Sequence, residues 1–289
     1  MQKRFGDLFS ESWEEYKSKF KLLLKTYSWL YIIPQLIILV LSITLAVQMI
    51  QLGVIDVPDL GADKMDFGMT GNAVDDAKGE LTDLQNLKII LSEFFPIILA
   101  IIVLSLISYL FLSLSLFYMA FYDKKNNLSF KQVFTNSLSY FWVYLGLSFL
   151  VIIALIPLFL LLIIPGLIFL VYWYFSSYVL VGENKGIIES MKTSMNVVRG
   201  RWWSVFGYML LFMLIIMAIS IVISIPFSLI SFALSLGAIF SESGLILMVA
   251  IDPFIDFFSN LIVSFITVPL TILFFKNYYL NLKANPIAK

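Results

Sequence analysis

The chain has 289 residues, 61% of them hydrophobic, 16% aromatic and only 13% charged, with a mean hydropathy of +0.95. A soluble domain is about half apolar and about a quarter charged, so composition alone marks an integral membrane protein. The 19 basic and 19 acidic residues cancel, which removes the case for nucleic acid as a partner; with neither histidine nor cysteine, thiol catalysis, disulfides, Cys/His zinc sites and histidine-ligated haem are excluded, and no cofactor is expected.

The N-terminal stretch "MQKRFGDLFSESWEEYKSKF" carries charge throughout and lacks the apolar core of a secretory signal, so it is expected to stay on the mature protein. It places Phe9, Trp13, Tyr16 and Phe20 on one helical face and Glu11, Glu14, Glu15, Lys17 and Lys21 on the other. Such a helix lies in the membrane interface and turns the chain into the first span, about 27–52. Residues 53–86 follow as an acidic outer loop with seven Asp and one Glu against two Lys, whose acid order does not match a calcium loop. Glu93 stands at the outer end of the second span, about 90–120, where a carboxylate can reach water. Ser105, Ser108, Ser113 and Ser115 in that span either line a groove or let helices approach, and packing is the simpler reading.

A second amphipathic stretch sets Phe130, Val133, Phe134, Leu138 and Phe141 against Lys131, Gln132, Thr135, Asn136 and Ser139. The charge-free run behind it, Gln132–Gly182, has 51 residues. As one helix it would measure about 75 Å, so it must fold back. The turn is read at "PLFLLLIIPG", Pro157 to Gly166, giving spans at about 139–158 and 164–182. The third stretch, "GIIESMKTSMNVVRGRWW", puts Ile187, Ile188, Met191, Met195 and Val198 on one face. Glu189, Lys192, Thr193, Asn196 and Arg199 take the other, and Trp202 and Trp203 enter the aromatic belt of the fifth span, about 203–227.

A surplus, Ser228–Pro253, is read as an outer-surface or partly re-entrant segment, and as a seventh span in the competing topology. "IDPFID" then puts Asp252 and Asp256 four residues apart at the mouth of the last span, about 257–276. Two readings stand for this pair. It is an outer-face cation or polar contact, or Asp252-Pro253 caps the last helix with both carboxylates in water, which is favoured.

Charge decides the orientation. The N-terminus, 122–137, 182–201 and the C-terminal tail hold 16 Lys/Arg against 7 Asp/Glu, whereas the opposite side holds three Lys against 12 acids. By the positive-inside bias both termini are cytoplasmic, in a multi-pass protein of the cytoplasmic (inner) cell membrane. The fold class is all-α: six transmembrane helices as three hairpins, each preceded by an amphipathic interfacial helix. Within one membrane domain, 1–289, the units are 1–122, 123–182 and 183–289, an expectation of parallel repeats.

From Leu155 to about Leu211 the sequence resembles a bacterial family. The residues that carry this are Pro165-Gly166, Trp173, Glu183-Asn184, Gly186, Ser190, Ser194, Arg199-Gly200 and Trp202-Trp203. It is the six-span family known as the membrane domain of glycerophosphoryl diester phosphodiesterases, with related uncharacterised inner-membrane proteins. In that family the phosphodiesterase reaction belongs to a separate soluble domain, so the resemblance implies a fold and a location without an enzyme activity.

The function read from the sequence is a non-catalytic membrane module associated with lipids or with another membrane protein. Lys192, Arg199 and Arg201 are its candidate lipid-headgroup residues, since basic clusters at the interface attract anionic lipid. The alternative is a passive transporter or lipid-translocation facilitator with a groove between repeats. It would be lined by serines, Asn260, Thr267 and tyrosine hydroxyls. A membrane-embedded enzyme would need Asp252, Asp256 and Glu93 to converge.

Overall fold

A computed structural model describes residues 3–51, 88, 92, 94–123, 128–240 and 242–286, with the side chains of 46, 47, 49–51 and 238–250 outside the description. The acidic outer loop and Glu93 therefore lie outside the described residues. The rest is helix: α1 (Phe5–Ser18), α2 (Phe20–Tyr27), a π-helical turn (Ser28–Ile32), α3 (Ile33–Gln51), α4 (Phe95–Tyr122), α5 (Phe130–Leu161), α6 (Ile163–Trp173), α7 (Ser176–Glu183), α8 (Ile187–Val198), α9 (Trp202–Phe240) and α10 (Glu242–Ala284).

Among the described residues six helices are long and apolar enough to cross a membrane: Phe20–Leu45, Phe95–Tyr122, Phe130–Leu161, Ile163–Glu183, Trp202–Gly237 and Ile251–Ala284. Among the described residues the surplus before the last span holds no separate crossing. α9 runs on to Phe240 and α10 opens at Glu242, so the same residues lengthen two spans. Their apolar composition suits helix as well as the spans themselves, because in lipid a helix satisfies its backbone internally.

The fold-back turn lies within Pro157–Gly166, where the sequence reading places it. Helix α5 continues past Pro157 to Leu161, and a single extended residue, Leu162 (φ −155°, ψ 125°), separates it from α6. Pro165 and Gly166 thus sit inside the first turn of α6, where a missing N–H costs little. Gly166 faces Phe159 so closely that a Cβ there would meet the ring at 2.6 Å. The second amphipathic stretch, by contrast, is no separate helix. Ser129 and Gln132 cap it reciprocally, and from Phe130 it is continuous with its span.

The chain divides into two compact units, Met1–Ile32 with Ser108–Ile223 and Leu261–Lys289, and Ile33–Ile107 with Ser224–Asn260. In the second unit, Thr44 and Ser228 spend their hydroxyls on carbonyls of their own helices four residues back. The first unit holds nearly all of the buried core. It is aromatic: Phe212 stacks on Phe274 at 4.3 Å, Tyr208 on Tyr278 at 4.6 Å, and Phe175 is fully buried against Tyr278 and Tyr279.

Helix α8 belongs to this core. Ser190, Met191, Ser194 and Val198 are its buried face, while Ile188, expected on the apolar side, is 52% exposed. The cause is a break in the fourth span between Trp173 and Ser176. Ser194 Oγ donates to the Tyr172 carbonyl at 2.6 Å and accepts from the Phe175 N–H at 3.1 Å, pairing backbone groups at the break. Trp202 adds a second tether by donating Nε1–H to the Ile168 carbonyl. Asn184 (φ 52°) and Gly200 (φ 82°) supply the left-handed turns on either side of α8.

These contacts predict a contrast between two neighbouring glycines. A Cβ on Gly182 would meet the Phe121 ring at 2.6 Å, whereas nothing lies within 4 Å of one on Gly186. Gly182→Ala should lower stability by about 1–3 kcal/mol, with Gly186→Ala costing only a few tenths of that, as measured by thermal unfolding in detergent. Equal effects would remove the close approach of α7 to α4.

Candidate functional site

The polar residues of the first unit converge at one place. A cavity of about 920 Å³ is lined by residues of α1, the end of α4, the end of α7 and the last turns of α10, among them Glu15, Lys19, Asp123, Glu183, Lys276 and Lys283. Helix α10 is the hub. Lys276, Tyr279, Leu280 and Lys283 recur at helical spacing and so share the face that lines the cavity.

On one side that face grips the N-terminal helix. Lys276 Nζ donates to both Glu15 carboxylate oxygens at 2.6 Å, and Lys19 Nζ reaches Glu15 Oε1 at 2.9 Å. Asn277 Nδ2 donates to Ser12 Oγ at 3.0 Å and to Glu15 Oε2 at 3.3 Å, and Ser12 in turn donates to the Leu8 carbonyl. Lys19 also donates to the Met119 carbonyl at 3.2 Å, tying α4 to the same group. Both ammonium ions are buried, with side-chain exposures of 4% for Lys19 and 8% for Lys276. Burial pushes the Glu15 carboxyl up, but Lys276 and then Lys19 outweigh it and hold the group below its ordinary value.

On its other side α10 holds the end of α7. Glu183 accepts from Tyr279 and from Lys283 (2.7 Å), and pairs with Lys185 at 3.2 Å. Lys185 extends the chain of contacts to Thr193 Oγ1 at 3.1 Å and Glu189 at 3.5 Å on α8. Its hydrogen bond with Glu183 raises its pKa. Glu15 and Glu183 are thus each engaged by several donors. Neither is a free base, and the cluster works as a clamp.

The residues expected from the sequence fall elsewhere. Lys192 and Arg199 are exposed on and just after α8, and Arg201 is half-buried with its Nε enclosed and without a partner among the described residues. The acidic pair sits in the second unit: Asp252 is half-buried and Asp256 exposed. Because α10 begins at Glu242, ten residues earlier, Asp252-Pro253 is inside the helix and does not cap it. Both carboxylates lie on one continuous helix at i,i+4, and no group of three metal-ligating residues occurs among the described residues. Whether Glu93 joins them lies outside the described residues.

The clamp was missed because its halves lie some 260 residues apart. Two local signals pointed to it. Glu15 and Lys19 have ion-pair spacing, and Lys276, Asn277, Tyr279 and Lys283 form a polar face where an apolar span would simply end.

The triad makes an asymmetric prediction. Glu15→Gln leaves two buried ammonium ions facing each other, at a cost on the order of 3–5 kcal/mol. Lys276→Met leaves the Glu15–Lys19 pair intact and costs less. A pH dependence follows as well. Since folding depresses the Glu15 pKa from 4.5, its contribution is fully present above about pH 4.5 and lost as pH falls through the folded value. Thermal unfolding between pH 7 and 3 should show this loss in the wild type and a flatter profile in Glu15→Gln.

No curated protein matches the chain, and no solved structure matches it. Residues 68–282 match a domain of unknown function, DUF7847. This match spans most of the chain, including the α4, α7 and α10 walls of the cavity, and the protein is therefore a membrane protein belonging to the DUF7847 family.

Proposed function

We propose that the protein is a non-catalytic membrane module that associates with lipids or with a partner membrane protein, with both termini on the cytoplasmic face of the cytoplasmic membrane. One observation carries this reading. Hydroxyls along the spans are spent within their own helices, which takes them out of a polar path: Ser105 donates to the Ile101 carbonyl, Ser113 to Tyr109, Ser220 to Ile216, Thr267 to Val263 and Thr271 to Thr267, while Thr26, Ser115, Ser137 and Ser176 are enclosed by packing. Beside the polar cavity, Phe274, Phe275 and Tyr278 are buried, leaving an aromatic layer where a conduit would need water.

The orientation is supported by the charge asymmetry, 16 Lys/Arg and 7 Asp/Glu on one side against three Lys and 12 acids on the other. It places the clamp and the cavity on the cytoplasmic side. The three-hairpin organisation is supported by the fully buried serines Ser12, Ser137, Ser190 and Ser194, at least one in each amphipathic stretch. The resemblance of 155–211 to the glycerophosphoryl diester phosphodiesterase membrane domain points the same way, to a membrane body without the phosphodiesterase.

The cavity of about 920 Å³ favours a second reading, a passive facilitator seen closed. Reconstitution separates the two. In vesicles of phosphatidylglycerol and phosphatidylcholine, a module leaves the transbilayer movement of a fluorescent phospholipid at the rate of protein-free vesicles. Protein-dependent acceleration, abolished by Leu280→Trp in the cavity wall and kept by Val222→Trp outside it, would transfer the assignment to the facilitator.

A further inference from the structure

A second cavity in the first unit is apolar. It measures about 400 Å³ and runs along α9 beside α6 and α10. On α9 its wall is Phe206, Met209, Leu210, Phe212, Met213 and Ile216, one face of the helix about 15 Å long. Thr271 on the α10 wall has its hydroxyl bonded to the Thr267 carbonyl, so it presents its methyl group. Leu210 and Met213 are 48% and 69% exposed, so the groove is open along its length to whatever surrounds the span.

The head of this stripe is polar and basic. Trp202 stacks on Phe206 at 5.1 Å and donates to the Ile168 carbonyl, closing the groove at the first turn of α9. Immediately before it runs the turn Arg199-Gly200-Arg201, with Gly200 at φ 82°. The Arg199 and Arg201 guanidinium groups make no ion pair among the described residues, and Arg201 Nε is enclosed without a partner. Elsewhere in this unit Glu183 and Glu15 take several cations each, so these two arginines are left uncompensated beside an apolar slot.

We propose that this groove binds one acyl chain of an anionic glycerophospholipid, with the phosphate held at the Arg199–Arg201 turn. The inference rests on the lipid-associated reading above and names the lipid class and its site. An anionic headgroup supplies the charge that the turn lacks, and an acyl chain supplies the apolar contacts that the open slot lacks. Trp202, amphipathic and already anchored, marks the boundary between the two. Lys192, exposed on α8, remains a peripheral cation of the same surface.

The test is native mass spectrometry of the full chain released in mild detergent from vesicles containing equal amounts of dioleoyl phosphatidylglycerol and dioleoyl phosphatidylcholine. The wild type should retain one phosphatidylglycerol in preference to phosphatidylcholine. Arg199→Gln and Arg201→Gln should each lower that preference about fivefold, the factor equivalent to the ~1 kcal/mol contributed by a basic residue at an anionic surface. Met213→Trp, which fills the groove, should abolish retention, whereas Val222→Trp, equally exposed at 68% but outside the groove, should not. Retention of phosphatidylglycerol that is indifferent to Met213→Trp overturns the groove and leaves lipid association standing. Equal retention of the two lipids by the wild type overturns the arginine assignment. Release of the wild type with neither lipid retained overturns both this site and the lipid arm of the proposed function.

Discussion

Glu15 places one negative charge between two buried ammonium ions, Lys19 and Lys276, and through them joins the first helix of the chain to the last. In a low-dielectric setting two such cations could not be buried without it. The contact carries more than its own energy, because each partner reaches a further element. Lys19 holds the end of α4 through the Met119 carbonyl, and the next residue along α10, Asn277, fixes Ser12 on α1. Two turns on, Lys283 and Tyr279 repeat the device with Glu183. The cavity is the space these pairs enclose, so its walls exist only while the charges stay matched.

The same constraint explains the most polar stretch of the middle of the chain. A transmembrane helix that breaks must find partners for the backbone groups it releases, since no water is present to take them. The fourth span breaks at Tyr174–Phe175, and α8 lies against it so that one serine hydroxyl serves both an orphan carbonyl and an orphan N–H. This gives the motif residues separate structural tasks. Gly166 allows α6 to meet Phe159, Gly182 allows α7 to meet Phe121, Asn184 and Gly200 turn the chain, and Trp202 anchors the next span. The arginines on either side of Gly200 make no ion pair among the described residues.

Much of the fold was legible because hydrocarbon demands a long uninterrupted apolar helix, and composition reports that directly. Charge-free runs located all six spans, and the excess length of Gln132–Gly182 required a turn. The turn was placed within Pro157–Gly166 by its prolines and glycine, and the structure makes it there, at Leu162, with Pro165 and Gly166 used for helix start and close packing. Amphipathic periodicity separated polar from apolar faces but could not say that Ser190 and Ser194 belong inside, since a serine that serves a backbone break has the same local pattern as one facing water. Asp252-Pro253 looked like a cap because that pair often starts a helix. Nothing local revealed that the helix had begun at Glu242. The clamp depends on residues at opposite ends of the sequence, and pairing across that distance is a property of the packed helices alone.

The most direct test uses the absence of native cysteine. Ser12 and Asn277 stand with their side-chain atoms 3.0 Å apart, so Ser12→Cys with Asn277→Cys in the membrane-bound protein should form an intramolecular disulfide under mild oxidant, read as a mobility shift reversed by reductant. A control pairing Ser12→Cys with a cysteine at exposed Leu280 should not cross-link. Efficient cross-linking of the first pair alone is the expected result. Failure of that pair to link, or equal linking of both, would contradict a first helix clamped to the last.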